Sequence, residues 1–217
     1  MSKASLILYY APHTCALASH LALEHAGADY EARRIDFSTN QQRSDDYLSI
    51  NPKGRVPALV TENGVLTETP AILAFICQTF PQAKLAPLAD PFQFARVQAF
   101  NSYLCSTVHV AHAHRMRGHR WADDPAAIEA MKEKVPKSVG ECFETIERHM
   151  LLGPWVMGDA YTVCDMYLFT LAQWLEADGV DIERLPKVAA HRRRMSEIPQ
   201  VMRIVAIEVA PERVQTA

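Results

Sequence analysis

The hydrophobic and polar positions in the first part of the chain predict alternating strands and helices. Leu6 to Tyr10 is a compact apolar run, which predicts a buried strand. From Thr14 the apolar residues recur at helical spacing, and Gly27 then predicts the end of that helix. Tyr30 to Asp36 predicts a second strand, and the polar stretch from Gln41 to Ile50 predicts a loop with a short helix.

A proline interrupts the next predicted strand. Val56 to Val60 reads as short and buried, yet Pro57 near its start has no N–H for the strand ladder. The Val56–Pro57 bond is therefore a candidate cis peptide, which would turn the backbone N–H and C=O of Val56 outward, free to pair with an extended ligand. A fourth strand is predicted through Val65 and Leu66.

The helix that follows this strand is predicted to begin in a way that suits anions. Thr69 is a good N-cap, and Pro70 fits the first helical position because its missing N–H is not needed there. The unpaired N–H groups at such an end attract negative charge. Combined with the strand edge at Val56, this helix start predicts a site for a small acidic peptide.

The rest of the chain shows helical patterns throughout. A proline-containing run from Phe80 to Asp90 precedes them, and it predicts a boundary between a domain at residues 1–80, a linker at 81–90 and a domain at 91–217. Thr162 to Glu176 is apolar on nearly every side, which indicates a buried central helix, and Thr162 and Asp165 predict its capping box. The other predicted helices run from Pro91 to Arg117, Asp124 to Leu152, Pro186 to Met195 and Pro199 to Val209, and a loose tail is predicted after them.

Composition narrows the possible partners and compartment. The 217 residues are about half apolar, with a net charge of -3 and a pI near 6.3. The longest basic run is Arg192 to Arg194, so no nucleic-acid partner is expected. No apolar run is long enough for a membrane span or a signal sequence, which predicts a cytoplasmic protein without a membrane partner. Five cysteines, an odd number without metal-ligand spacing, predict free thiols: Cys15, Cys77, Cys105, Cys142 and Cys164.

Cys15 is the candidate reactive thiol. It follows the first predicted strand and lies in the first turn of the first predicted helix, where the helix dipole and unpaired N–H groups should lower its pKa. Pro12 and Ala18 stand three residues to either side, so no resolving thiol is built in and disulfide chemistry would need an external thiol. The alternative is a small buried hydrophobe, which is the role expected for the other four cysteines.

Histidines cluster in the run HVAHAHRMRGH at residues 109–119. His109 and His112 could share a helical face, as metal ligands do, but no acidic or thiol ligand accompanies them at suitable spacing. No metal is therefore expected. His109 is the candidate site residue of this run, and His112, His114 and His119 are expected on solvated helix faces.

Four motifs, spread over essentially the whole chain, are similar to those of one family. They are YYAPHTCAL, NPKGRVPAL, LTETPAIL and GDAYTVCDMYLFTLAQW. Together they resemble the cytosolic glutathione transferases, and Cys15 with the His109 of YLCSTVH resembles the bacterial beta class. The resemblance implies a thioredoxin-like α/β domain with a four-stranded mixed sheet, followed by an all-α helical-bundle domain. It also implies a detoxifying homodimeric enzyme that uses glutathione as co-substrate.

The resemblance assigns roles to particular residues. Cys15 would lie by the glutathione sulfur, to stabilise its thiolate or to form a mixed disulfide, and His109 would act there as a polar group or general base. Thr14 is a second candidate for holding the thiolate. The implied glutathione-binding residues are Thr14, Lys53, Arg55, Val56, Pro57, Glu68, Thr69, Ser102 and Ser106. The electrophile would lie between the domains, against Tyr103, His109, His112 and Met116.

Three functions are compatible with this sequence. The favoured one is addition of the glutathione sulfur to an electrophilic carbon of a small hydrophobic compound. The second is a glutathione-dependent thiol-disulfide reductase with Cys15 as the attacking thiol. The third is a ligand-binding or interaction protein of the same fold without catalysis. Phe92 and Phe94 are aromatic residues that would suit a subunit interface.

Overall fold

The computed structural model describes residues 6–210, and its first part is a mixed sheet flanked by helices. The strands are β1 (Leu6–Tyr10), β2 (Tyr30–Arg34), β3 (Ala58–Thr61) and β4 (Gly64–Thr67). Their order across the sheet is β2-β1-β3-β4. Strand β1 pairs parallel with β2 and antiparallel with β3, and β3 pairs antiparallel with β4. This confirms the predicted four-stranded mixed sheet.

Helices flank the sheet and form the rest of the described chain's regular structure, apart from one β-bridge between Trp155 and Gly158. Those of the first part are α1 (Ala16–Ala26), α2 (Asp45–Ile50) and α3 (Thr69–Thr79). Those that follow are α4 (Pro91–Tyr103), α5 (His109–Arg117), α6 (Pro125–Thr145), α7 (Val163–Ala172), α8 (Pro186–Ser196) and α9 (Pro199–Val209). The all-helical second part is confirmed, and the predicted tail lies largely outside the described residues.

Two details of the long helices differ from the simple periodic pattern. The helix predicted from Pro91 to Arg117 is continuous, but a π-helical segment at Leu104–Val108 separates α4 from α5. A second π-helical segment, Ile146–Met150, ends the helix that begins with α6. A π segment adds a residue to a turn and so changes which side chains face a neighbouring surface.

The segments just before β3 and just after β4 have unusual backbone geometry. The Val56–Pro57 bond is cis, as predicted, and β3 begins one residue later at Ala58, so Pro57 needs no ladder partner. The prediction that Thr69 caps α3 is wrong. Glu68 occupies the N-cap with a φ of 70°, and Thr69 is the first helical residue. The chain turns from β4 into α3 at Glu68, and this places the cap one residue earlier than the threonine suggests.

Helix α7 lies at the centre of the molecule, as its apolar sequence predicts. All its residues are buried, and it packs against α1 of the first part and against α4 and α8. Its capping box is confirmed: Asp165 Oδ2 accepts from the Thr162 N–H at 2.8 Å, and Thr162 Oγ1 accepts from the Cys164 N–H at 3.3 Å. Asp165 Oδ1 also contacts the Val156 N–H at 2.7 Å and His191 Nε2 at 3.0 Å.

Helix α1 joins the two parts of the chain. It packs against α3 on one side and against α7 and α9 on the other. His20 on α1 and Glu208 on α9 are both buried, and His20 Nδ1 lies 2.8 Å from Glu208 Oε1. Within residues 6–210 no helix is both long and apolar enough to cross a bilayer.

Candidate functional site

A cleft of ≈ 870 Å³ lies between the first part of the chain and the helical part. One wall comes from the loop between β1 and α1, the segment before β3 and the start of α3. The facing wall comes from α5, with Tyr167 of α7 and Trp174 just beyond that helix. Cys15 and His109, predicted from distant parts of the sequence, line this one cleft.

Cys15 stands at the N-cap of α1, and its environment differs from the predicted one. The side chain is buried, and its Sγ lies 3.7 Å from the carbonyl oxygen of Val56. Burial raises the pKa of the thiol to about 11, and this outweighs the opposite effect of its hydrogen bond with Thr69. The prediction of a lowered pKa is therefore wrong, because the loss of hydration disfavours the thiolate more than the helix start favours it.

A second thiol shares the cleft. Cys105 comes from the π-helical segment between α4 and α5, is half-buried and lines the cleft with Cys15. The buried hydroxyl of Tyr167 interacts with both Cys105 and Thr69, and Thr69 interacts in turn with Cys15. All five cysteines are free, as predicted, but the expectation of a buried core residue is wrong for Cys105 and Cys142, which are half-buried and line cavities. No sequence spacing indicates the pair of Cys15 and Cys105, because the two residues belong to different parts of the fold.

His109 and His112 form an aromatic cluster with Trp174. The His112 ring stacks on Trp174 at 4.2 Å between centroids, and the His109 ring meets the same indole edge-on at 5.2 Å. His112 Nδ1 lies 2.7 Å from Oδ2 of the buried Asp178. His112 is thus held by packing and a carboxylate, which corrects the expectation of a solvated residue.

His109 is neutral at physiological pH because of its surroundings. Burial lowers the pKa of its ring to about 4, and the positive charges nearby, from Arg117, Arg120 and Arg55, act in the same direction. A neutral imidazole has one N–H donor and one acceptor nitrogen. His109 can therefore donate a hydrogen bond to a group in the cleft while carrying no charge.

The start of α3 presents charged and polar groups to the cleft. Glu68 forms a salt bridge with Lys53, whose Nζ also donates to Thr67 Oγ1 at 2.7 Å. Gly54, next to Lys53, has a φ of 59°, and a Cβ there would lie 2.8 Å from the carbonyl oxygen of Gln42. A glycine is needed at this position to bring the cleft-lining loop so close to its neighbour.

The family is decided by comparison with known proteins. Residues 4–78 match the model of the glutathione S-transferase N-terminal domain, and residues 115–194 match that of the glutathione S-transferase C-terminal domain. The chain is 31% identical to the glutathione S-transferase GstA of Escherichia coli O157:H7 over 204 residues, 93% of this chain and 98% of that protein. It belongs to the glutathione S-transferase family.

Solved structures of related transferases have the same fold. A glutathione transferase homologue from Sulfitobacter, with bound glutathione, is 40% identical, with a TM-score of 0.92 over 96% of this chain and 100% of that one. The bacterial beta-class glutathione S-transferase of Sphingomonas chungbukensis is 30% identical, with a TM-score of 0.82 over 94% of this chain and 98% of that one. The thioredoxin-like N-terminal part and the likeness to the beta class are thereby confirmed.

Most of the predicted site residues of this transferase lie together. Those that line the cleft are Thr14, Cys15, Lys53, Arg55, Val56, Pro57, Glu68, Thr69, His109, His112 and Met116. Thr14 Oγ1 donates to the Ala11 carbonyl at 2.7 Å and accepts from the Ala16 N–H at 3.3 Å, so its hydroxyl is engaged in the turn into α1. Met116 is 73% exposed at the cleft mouth.

Three predicted residues lie outside the cleft of the transferase. Ser102 is exposed, and its carbonyl accepts from Ser106 Oγ at 2.8 Å. Tyr103 and Ser106 line a second cavity of ≈ 580 Å³ against α6, where the Tyr103 hydroxyl donates to the Cys142 carbonyl at 3.4 Å. None of the three therefore lines the cleft that holds Cys15.

Arginines are the cleft-lining residues that the sequence analysis did not identify. Arg43, Arg117 and Arg120 line the cleft together with Arg55. Arg117 and Arg120 lie in and directly after the run at residues 109–119, of which only the histidines were considered as site residues, and Arg43 lies far from them in the sequence. Among the side chains of residues 6–210, no group of three or more His, Cys, Asp and Glu is arranged to hold a metal ion.

Proposed function

We propose that this transferase binds glutathione in the cleft and adds its sulfur to an electrophilic carbon. The observation that carries the proposal is the meeting of Cys15, His109 and Val56 with the start of α3 in one cleft. The cleft volume of ≈ 870 Å³ is suitable for a tripeptide together with a small second substrate. The natural setting we propose is a homodimer in the cytoplasm that detoxifies small electrophiles without a metal ion.

The proposed pose follows the polarity of the cleft wall. The γ-glutamyl end of glutathione would lie at the start of α3, near Glu68 and Thr69, where the carboxylate meets unpaired helix N–H groups and the ammonium meets Glu68. The cysteinyl backbone would pair with Val56, just before β3. This arrangement directs the glutathione sulfur to Cys15, because the Cys15 thiol lies 3.7 Å from the Val56 carbonyl.

The pKa values of the two site residues suggest how the sulfur is activated. Cys15, with its pKa raised to about 11, stays protonated at neutral pH and can donate its S–H to the glutathione thiolate. His109, with its pKa lowered to about 4, is a weak base but a good neutral hydrogen-bond donor. Both groups would stabilise the anion of glutathione, whose free thiol is mostly protonated at neutral pH.

A second candidate function is reduction of glutathione mixed disulfides. Cys105 favours it, because a thiol in the same cleft could attack a disulfide between Cys15 and glutathione. That attack would form a Cys15–Cys105 disulfide and release glutathione as its thiol, and two further glutathione molecules would reduce the protein disulfide. The raised pKa of Cys15 makes this the weaker candidate, since the thiolate is the attacking species.

The variant Cys15→Ala separates the two functions. Conjugation of glutathione to chlorodinitrobenzene is expected to fall about tenfold, the effect of losing one hydrogen bond to a charged group. Reduction of the mixed disulfide between glutathione and mercaptoethanol is expected to be lost, if the wild-type enzyme shows it. The control is Cys142→Ala, whose thiol belongs to the second cavity.

The outcomes decide between the candidates. Wild-type reduction faster than conjugation, with Cys105→Ala slowing only reduction, would make the reductase the main function. Failure of the wild-type protein to conjugate glutathione and to bind immobilised glutathione would overturn the proposed function altogether.

A further inference from the structure

The cleft carries a large excess of positive charge. Among the described residues that line it, one carboxylate, Glu68, stands against six cationic side chains. These are Arg43, Lys53, Arg55, Arg115, Arg117 and Arg120. A cleft lined by one sign of charge concentrates ligands of the opposite sign, so this one is built for anions.

Two of the six cations already have partners. Lys53 pairs with Glu68, and Arg115 Nε lies 3.2 Å from Oδ1 of the buried Asp178. For the four other arginines, no salt bridge to a carboxylate is found in the part of the chain from 6 to 210. Bringing like charges together in a cleft is unfavourable unless an anion joins them.

The four arginines belong to two walls. Arg43 and Arg55 come from the first part of the chain, on the side where glutathione would lie. Arg117 is the last residue of α5, and Arg120 follows in the next turn, both on the helical wall. Arg43 and Arg55 can form salt bridges with the glycyl carboxylate at the end of glutathione. The second pair is then available to the other substrate.

The helical pair lies beside apolar surface at the mouth of the cleft. Trp121 follows Arg120 directly and is 48% exposed, and Met116 precedes Arg117 and is 73% exposed. Both line the same cleft as the arginines. An exposed indole with a thioether and guanidinium groups beside it suits a flat ring that carries an anionic group.

We propose that Arg117 and Arg120 bind an anionic group of the second substrate, so that the electrophile is a flat carboxylate-bearing compound rather than a neutral hydrophobic one. This inference rests on the proposed function and narrows its substrate class.

Electrostatic effects on neighbouring groups support this placement. Burial and, after it, the charges of Arg117, Arg55 and Arg43 together lower the pKa of Arg120 to about 10. The charge of Arg117 also acts on both Cys15 and His109, in each case after the larger effect of burial. An anion held by Arg117 would therefore lie within electrostatic range of Cys15 and His109.

Two matched electrophiles test the inference. One is a chloronitrobenzoate with chlorine para to the carboxylate and ortho to the nitro group, and the other is the corresponding chloronitrobenzamide. With either compound the glutathione sulfur bonds to the ring carbon, the C–Cl bond breaks, chloride leaves and the thiol proton passes to solvent. Dividing each enzymatic kcat/KM by the uncatalysed rate constant removes the difference in intrinsic reactivity.

The double variant Arg117→Gln with Arg120→Gln is compared with the wild type and with the double control Arg184→Gln with Arg193→Gln. Arg184 and Arg193 are exposed and outside the cleft, so this control loses the same two positive charges. The wild type is expected to prefer the carboxylate. The double variant is expected to lose roughly tenfold or more of its kcat/KM for the carboxylate, as for hydrogen bonds to a charged group, with little change for the amide.

Three results would contradict the inference, and each has a different meaning. Equal losses for both compounds would overturn the inference, and so would a wild type without preference for the carboxylate. A rise in the KM for glutathione alone would assign these arginines to glutathione instead.

A binding measurement separates failure of this inference from failure of the proposed function. Trp121 and Trp174 line the cleft, so quenching of tryptophan fluorescence reports its occupation. It is measured for both compounds with saturating S-methylglutathione, which cannot react. Tighter binding of the carboxylate by the wild type than by the double variant supports the anion site even without turnover. Equal binding by the two proteins overturns it.

Discussion

At the residue scale, burial decides the chemistry of the two central side chains. Cys15 and His109 are each removed from water, and each therefore favours its uncharged form: the pKa of the thiol rises to about 11 and that of the imidazole falls to about 4. The sequence predicted their positions, that of Cys15 from the strand and helix start around it and that of His109 from the resemblance to the beta class. It could not give their protonation, because burial depends on residues from every part of the chain.

His109→Gln tests the neutral state of the imidazole. The substitution is expected to lower kcat/KM for conjugation about tenfold, through loss of a hydrogen bond to the thiolate. Because the histidine pKa lies near 4, the ring does not ionise between about pH 6 and 8. The pH profiles of kcat/KM for the two enzymes should therefore have the same shape in this window.

The control for this substitution is His149→Gln, since His149 is exposed and outside the cleft. An acidic limb near the ordinary histidine pKa of about 6.5, present in the wild type and absent from the variant, would show that His109 titrates in the working range.

At the element scale, the residues at the helix ends largely determine where each helix begins. Thr162 and Asp165 predicted the start of α7 correctly, because a capping box satisfies backbone groups within one turn. The start of α3 was predicted one residue late, because Glu68 adopts a positive φ that the sequence does not indicate. The π-helical segment at Leu104–Val108 was also missed, and it is the element that carries Cys105 into the cleft.

Asp165→Ala is expected to lower the free energy of unfolding by about 3 kcal/mol or more. The carboxylate accepts hydrogen bonds from the Thr162 and Val156 N–H groups and contacts His191, all of them buried, and its removal leaves buried donors without partners. Urea unfolding followed by circular dichroism measures the loss.

The exposed helix cap Asp124 gives the matched control, because its Oδ1 accepts from the Ala126 N–H at 3.0 Å at the start of α6. Asp124→Ala is expected to cost about 1 kcal/mol. Equal losses for the two variants would mean that Asp165 acts as an ordinary cap and does not organise the core.

At the scale of the whole molecule, the cleft depends on the packing of the two parts of the chain. Helix α1 contacts α3, α7 and α9, and so it fixes the thioredoxin-like part against the helical part. This packing brings arginines from three separate stretches, at residues 43, 55 and 115–120, to one cleft. The domain limits at residues 80 and 91 stay a prediction, as does assembly into a dimer.

Phe92→Ser tests the predicted dimer. Phe92 is 72% exposed at the start of α4 in the single chain, and an aromatic side chain so exposed is typical of an interface. We expect the wild type to have twice the chain mass of 24.3 kDa in light scattering, and the variant to dissociate at higher concentrations.

The control for Phe92→Ser is Ile207→Ser on α9, a residue that is 47% exposed. A wild-type protein with the mass of one chain would contradict the dimer, and dissociation of both variants alike would argue against a specific role for Phe92.

The sequence by itself determined most of the elements, the family and most of the predicted residues that line the cleft. Periodicity, caps and motifs act over short separations, so Cys15, Val56 and Thr69 could be recognised from their neighbours in the chain. Ser102, Tyr103 and Ser106 were expected in the cleft and lie outside it, because their direction depends on the helical turn at that point.

Only the tertiary structure decided the charge states of the reactive groups and which side chains lie next to them. The neutral His109, the protonated Cys15, the second thiol Cys105 and the cluster of arginines all arise from contacts between distant segments. Burial and electrostatic interactions depend on distance in space. Residues that are remote in sequence therefore set the properties of the site.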